Sequence, residues 1–308
     1  MINGSYSLGS NKINLEKEIN SLKNLSFEQV FKKTGIRYVY RAKKDETTLT
    51  LAIDSSKKLL KNIYEEIESL IFISQSPVST IPAAGCLLHE KLNLKKECFV
   101  LDIIQGCSAF PYALTVAANL INNGQFKNCL IVSSETYTKY IDKDDKVCMP
   151  IFSDGSSAIF LNQNSTPRIL SNFFLTDGSG AKNLCVKSKG NKQNLFMDGT
   201  NVFVFTAENV PYATNCLLKK ANLKIEDIKL FIFHQASTIV LDTIRNKLKI
   251  PKEKFYYNIE LLGNTVSSTI PISLIMAEKE KRIPKKEPIL IMGFGVGYSL
   301  SGGIFSFD

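Results

Sequence analysis

Residues 111–132, PYALTVAANLINNGQFKNCLIV, lie over residues 271–292, PISLIMAEKEKRIPKKEPILIM, without a gap. Pro111 falls on Pro271, Leu114 on Leu274, Ala117 on Ala277 and Leu130-Ile131 on Leu290-Ile291, an offset of 160 throughout. Each copy reads as an amphipathic helix running into a buried strand. Upstream, LIFIS (70–74) matches FIFHQ (231–235) at an offset of 161. A chain that writes one helix–strand unit twice is expected to fold as two similar α/β halves. The polar stretch NQNSTP (162–167) is their junction, which puts an N-terminal half at 1–165 and a C-terminal half at 166–308.

Short apolar runs predict strands at Leu70–Ile73, Phe99–Ile104, Cys129–Val132, Ala158–Leu161, Leu230–Phe233 and Pro288–Met292. Helical spacing predicts helices at Leu51–Ile67, Ala113–Asn122, Val204–Leu218, Ile239–Leu248 and Ile272–Lys281. This alternation indicates βαβ units and largely parallel sheet. A loop-rich insertion, Thr176–Asn201, is expected after the junction.

No apolar run reaches the roughly 18 residues of a membrane span, so none is expected. The opening MINGSYSLGSNKIN has no apolar stretch of a secretory leader. The seven cysteines (86, 98, 107, 129, 148, 185, 216) are odd in number and none forms a CxxC pair. That pattern argues for reduced thiols in the cytoplasm, with neither a disulfide framework nor a metal site. The net charge of +9 comes mostly from scattered lysines. They read as a solvated surface, or as attraction for an anionic, phosphate-bearing partner. No arginine-rich, aromatic-interleaved block points to nucleic acid.

Against this frame, LDIIQGCSAFPYAL (101–114) places one cysteine, Cys107, between a strand and a proline-started helix. A helix start favours thiolate over thiol, and only the thiolate attacks. Gly106, Ser108 and Ala109 leave room for a substrate, so the nucleophile is preferred here over a packed thiol. Under the repeat, Cys107 falls on Ser267, three residues past Asn264, so the register is not exact at this point. His234 ends the apolar run Phe231–Phe233, at the strand end where α/β folds bind ligands. His89, on a predicted helix, reads as structural or exposed. Asn264 in LLGNTVSSTIP is either a turn residue or an amide donor for an oxyanion beside His234. The glycines of GFGVG (293–297) lack a following helix and a suitably placed acid, which lowers a dinucleotide-loop reading. Cysteine, histidine and asparagine also fit a papain-like protease, which the duplicated layout disfavours.

These residues, in this order, resemble the β-ketoacyl-ACP synthase III family. The resemblance runs from TGIRYVYR (34–41) through DxxxxCSAFxYAL, SSET (133–136), FSDGSSAIF (152–160), MDGTNVFVF (197–205), FHQAS (233–237) and GNTVSSTIP (263–271) to GFGVGYS (293–299). It implies an α/β thiolase fold, with two similar halves in a five-layered αβαβα core. It further implies a decarboxylating Claisen condensing enzyme of fatty-acid synthesis that acts as a homodimer, with no permanently bound cofactor. Cys107 would take an acyl group from acyl-CoA or acyl-ACP. His234 and Asn264 would stabilise the enolate formed from malonyl-ACP. Backbone N–H groups of Cys107 and Val296 would hold the thioester oxyanion.

The resemblance also marks departures. Gln29 stands where a tryptophan often stacks on the CoA adenine; Arg37 is retained, and Lys146 replaces an arginine on the other side. Ile81 stands where a phenylalanine often limits the acyl pocket across a homodimer, and Leu300 replaces a tryptophan. These features suggest a specialised member of the family. Two alternatives are an acyltransferase to an amine or hydroxyl without decarboxylation, and a silent partner in a heteromeric complex, which the presence of Cys107 argues against.

Overall fold

The computed structural model describes residues 2–20, 25–142, 144–189 and 192–307. Along the chain the strands are β1 (Asn3–Leu8), β2 (Asn11–Asn14), β3 (Tyr38–Arg41), β4 (Ser69–Ile73), β5 (Phe99–Ile103), β6 (Asn128–Glu135), β7 (Gly155–Asn162), β8 (Arg168–Thr176), β9 (Leu184–Lys189), β10 (Lys192–Met197), β11 (Leu230–Phe233), β12 (Pro288–Gly295) and β13 (Ser299–Ser306). The α-helices are α1 (Leu15–Asn20), α2 (Phe27–Thr34), α3 (Thr48–Leu60), α4 (Ala84–Lys91), α5 (Ala109–Asn122), α6 (Gly199–Ala221), α7 (Thr238–Lys247), α8 (Ile259–Leu262) and α9 (Thr269–Lys279).

Two mixed sheets carry the fold, in the orders β1-β7-β6-β4-β5 and β11-β12-β13-β8. Helices α5 and α9 lie between them. Ala109, Ala113, Ala117, Ile270 and Leu274 pack with Ile71 and Ile131 of one sheet and Ile232 and Ile291 of the other. A helix buried this way is apolar around most of its surface, and α5 is. On the outer face of the first sheet, Ala52 and Leu59 of α3 and Leu88 of α4 cover Phe72 and Val132. On the outer face of the second, α6 and α7 cover Phe231, Phe233 and Met292 with Val210, Leu217, Leu241 and Ile244. The five layers are therefore αβαβα, the thiolase fold.

The repeat holds its register. The 3-10 turn Gly106–Ser108 that leads into α5 has its counterpart in Val266–Ser268, which leads into α9. Both helix starts (Ala109, Thr269) and both strand starts (Asn128, Pro288) are 160 residues apart. Ser267 is thus the structural counterpart of Cys107, and the slip expected there does not occur; Asn264 simply precedes the equivalent turn. The offset of 161 for the earlier strands also holds, because Leu70 pairs with Leu130 while Phe231 pairs with Leu290.

Several boundaries differ from expectation. The helix expected over Leu51–Ile67 stops at Leu60. The Asn128 side chain explains this: its Oδ1 accepts from Glu68 N–H at 2.9 Å and its Nδ2 donates to the Glu66 carbonyl at 2.9 Å. The chain is drawn into an extended approach to β4, and Ile67 is buried there. The insertion expected to be loop-rich holds the antiparallel hairpin β9–β10, which pairs Leu184 with Met197; residues 190 and 191 within it lie outside the described residues. Among the described residues no helix is long and apolar enough to cross a membrane, and all seven cysteines are free.

Candidate active site

Cys107 is 6% exposed and sits in the 3-10 turn ahead of α5. The turn opens on a left-handed residue, and Gly106 supplies φ +52°. A Cβ there would also meet Gln75 Oε1 at 2.2 Å. Below, β12 passes so closely that a Cβ on Gly293 would meet the Cys107 carbonyl at 2.4 Å. Burial pushes the Cys107 thiol well above its ordinary pKa, the Glu135 carboxylate pushes it further, and only Cys107's own backbone N–H pulls it back. The helix start favours thiolate, but these two effects outweigh it, and the resting thiol is protonated.

His234 follows β11 and is 2% exposed. Its backbone N–H donates to the Met292 carbonyl at 2.9 Å, which continues the ladder to β12. Its ring meets Phe294 edge-on, with centroids 5.5 Å apart. Nδ1 lies 2.7 Å from the Thr269 hydroxyl at the start of α9. Burial lowers the His234 pKa to about 3, so the imidazole is neutral.

Asn264 is 4% exposed. Its Oδ1 accepts from Val266 N–H at 2.8 Å, which fixes the amide orientation. Nδ2 therefore faces inward, 3.5 Å from His234 Nε2. Val266 takes φ +55°, a costly conformation for a β-branched residue. The bond from Asn264 helps to hold it there.

Cys107, His234 and Asn264 line one cavity of about 160 Å³, with Val296 and Phe294. The hairpin β9–β10 contributes Leu184 and Met197 to it, and α6 contributes Val202 and Phe203. A second cavity, of about 340 Å³, is lined by Gln29, Lys33 and Lys146. The two share Ile151, Ser237 and Ile239 in their walls, so the second cavity lies beside the one that holds Cys107. Gln29 and Lys146 thus come together. Arg37 is engaged elsewhere: its Nε lies 3.1 Å from Glu260 and its Nη1 3.4 Å from Glu16, and its guanidinium lies over Phe31. Ile81 is 92% exposed on its own chain. His89 is on α4, with Nε2 2.9 Å from the Lys95 carbonyl.

Sequence reasoning passed over three groups. Thr269 was hidden as one hydroxyl in the run SSTIP. Glu135 lay within SSET without a role. Leu184 and Met197 belong to a segment read as loop.

A five-layered αβαβα fold with cysteine, histidine and asparagine around one cavity defines the class of thiolase-fold enzymes. Residues 101–178 match the family model for 3-oxoacyl-[acyl-carrier-protein] synthase III, and residues 218–307 match the model for the C-terminal part of the same family. The chain is 32% identical over 287 residues to beta-ketoacyl-[acyl-carrier-protein] synthase III of Clostridium perfringens, covering 88% of each chain. It is 30% identical over 302 residues to that of Syntrophomonas wolfei, covering 93% of this chain and 91% of the other. A crystal structure of a 3-oxoacyl-(acyl-carrier-protein) synthase III superposes with a TM-score of 0.92 at 30% identity, covering 99% of both chains. The chain belongs to the β-ketoacyl-ACP synthase III family of condensing enzymes.

Proposed function

We propose that the protein catalyses a decarboxylating Claisen condensation, joining an acyl group held on Cys107 to a malonyl thioester, in fatty-acid or related acyl-chain synthesis. The observation that carries this is the Asn264 amide, turned by Val266 N–H so that Nδ2 faces the cavity beside His234 Nε2. Simple acyl transfer has little use for a second donor at that point; an enolate has.

In the first half-reaction Cys107 Sγ attacks the thioester carbonyl of acyl-CoA or acyl-ACP. The carrier leaves as a thiol and takes the proton that Cys107 gives up. Backbone N–H groups of Cys107 and Val296 hold the oxyanion. Gln29, Lys33 and Lys146 border the path by which the phosphate-bearing arm enters. In the second, malonyl-ACP loses CO2, and the electrons left behind form an enolate, so no base is required. Asn264 Nδ2 and His234 Nε2–H donate to the enolate oxygen. Thr269 makes His234 a donor: if its hydroxyl hydrogen points to Nδ1, the proton of the neutral ring sits on Nε2. The enolate carbon attacks the acyl thioester and Cys107 is released, giving a 3-oxoacyl product.

The protein acts as a homodimer and resides in the cytoplasm in this reading. β5 is an edge strand that opens on Phe99, 37% exposed, and is followed by Ile104, 66% exposed. An apolar edge of this kind is normally covered. A second copy paired there would also cover Ile81, on the loop after the neighbouring strand β4.

The test is intact-protein mass spectrometry after incubation with a series of acyl-CoA and acyl-ACP donors, followed by malonyl-ACP and measurement of CO2. An adduct on Cys107 that is consumed with CO2 release is expected. No adduct with any donor would sink the reading. An adduct without malonyl-dependent CO2 release would favour transfer to an amine or hydroxyl.

A further inference from the structure

Glu135 ends β6, is 0% exposed and takes no part in the chemistry above. Its carboxylate is nevertheless crowded with donors. Oε1 accepts from Gln75 N–H at 3.0 Å and from the Ser267 hydroxyl at 2.7 Å. Oε2 accepts from Ser76 N–H at 3.0 Å and the Ser76 hydroxyl at 2.5 Å. Among the described residues no lysine or arginine pairs with it.

The repeat shows what this arrangement is. Across the offset of 160, Glu135 is the counterpart of Gly295 and Ser267 that of Cys107. In one copy the strand end is a glycine lying against the thiol, where a Cβ would come within 3.4 Å of Cys107 Sγ. In the other copy the strand end is a carboxylate bonded to the serine that replaces the cysteine. We propose that Glu135 is a positioning residue of the condensing site, bracing the turn that carries Asn264 against the turn that carries Cys107. This rests on the roles given above to Cys107, His234 and Asn264.

Both arms of the brace are visible. One runs through Ser267 to Val266, whose N–H holds the Asn264 amide. The other runs through Gln75, whose N–H is held by Glu135, whose Nε2 donates to the Ile104 carbonyl at 3.0 Å, and whose side chain lies beneath Gly106. The brace is also electrostatic. Burial raises the Glu135 pKa to about 7, against the pull of its hydrogen bonds from Ser76 and Ser267. The titratable groups facing it are Cys107, Tyr137 and Tyr140, each raised first by its own burial and further by the Glu135 charge. Once ionised, Glu135 therefore raises the pH at which Cys107 becomes thiolate.

The experiment measures iodoacetamide labelling of Cys107 against pH, read on its peptide by mass spectrometry, in the full-length protein. In Glu135→Gln the labelling profile should move to lower pH by about one unit, the size of a nearby like-charge effect. An unmoved profile in the folded variant overturns the proposal. Ser267→Ala decides the matter if Glu135→Gln does not fold. It should keep Cys107 acylation while slowing malonyl-dependent CO2 release at least tenfold; loss of neither half-reaction, or equal loss of both, overturns the brace. The labelling needs no acyl donor. Failure of all donors to acylate the wild-type protein would refute the condensing reaction while leaving the Glu135 profile readable.

Discussion

Replacing Thr269 by valine tests the link between His234 and the proposed enolate. Valine keeps the shape of the side chain at the α9 start and removes only the hydroxyl. That hydroxyl has one hydrogen and two acceptors in reach, His234 Nδ1 at 2.7 Å and the Val266 carbonyl at 3.1 Å. The shorter contact takes it in our reading, so Nε2 carries the ring proton into the cavity. Both partners are buried, His234 at 2% and Thr269 at 3% exposure. Thr269→Val leaves a buried nitrogen unpaired, which costs about 1–3 kcal/mol of stability. The kinetic effect should be larger, because the ring loses the group that holds its tautomer. Loss of one oxyanion donor costs about a hundred- to a thousand-fold in rate. Malonyl-dependent CO2 release should fall by that much while acylation of Cys107 stays within a few-fold, and Thr269→Ser should restore both. Nitrogen-15 NMR of labelled histidine reads the tautomer directly: the wild type should show a protonated Nε2. A spectrum with the proton on Nδ1, or a folded valine variant that condenses at the wild-type rate, would refute the reasoning.

Cys107→Ala should abolish the acyl adduct seen by intact mass, and Asn264→Ala should keep the adduct while losing CO2 release; equal loss of both would make Asn264 structural. Lys146→Glu should raise the KM for acyl-CoA several-fold without changing kcat, with the difference shrinking in high salt as screening grows. Ile104→Glu should leave the chain folded and lower the dimer fraction in sedimentation velocity. Stability against pH reports on His234 and Glu135 among the buried titrating groups; Asp154, which burial also raises, stays the same in every variant compared. His234 is lowered by burial to about 3, so below pH 6.5 the unfolded chain binds the extra proton and stability rises with pH. Glu135 is raised by burial to about 7, so above pH 4.5 the folded chain holds the extra proton and stability falls as pH rises toward 7. Between these limits the two slopes oppose, and from pH 4.5 to 6.5 denaturant titrations of the wild type should rise less steeply with pH than those of Glu135→Gln. Glu135→Gln should uncover the histidine slope, about 1.4 kcal/mol per pH unit.

The repeat made the architecture legible because helix and strand periodicity survive in α5–β6 and α9–β12, where both faces are buried and every residue is constrained. β13, which went unread, has the sequence SLSGGIFS, rich in serine and glycine and without an apolar run. Its place is set by neighbours, β12 on one side and β8 on the other. The hairpin β9–β10 was lost for a related reason: Lys187 and Ser188 interrupt the pattern that Leu184, Leu195 and Met197 would have given. The reactive positions divide in the same way. Cys107 and His234 stand at strand ends, where a sequence marks them by contrast with the apolar run before. Asn264 gains its meaning only from Val266, whose backbone N–H turns the amide, and no side-chain pattern encodes a backbone direction. Glu135 is the extreme case. It is legible only when the two copies are superposed, because its significance lies in the difference from Gly295. The two equivalent helix starts differ: one carries a thiol facing glycine, the other a serine tied to a carboxylate. Its remaining use is to hold Asn264 where the first copy needs it.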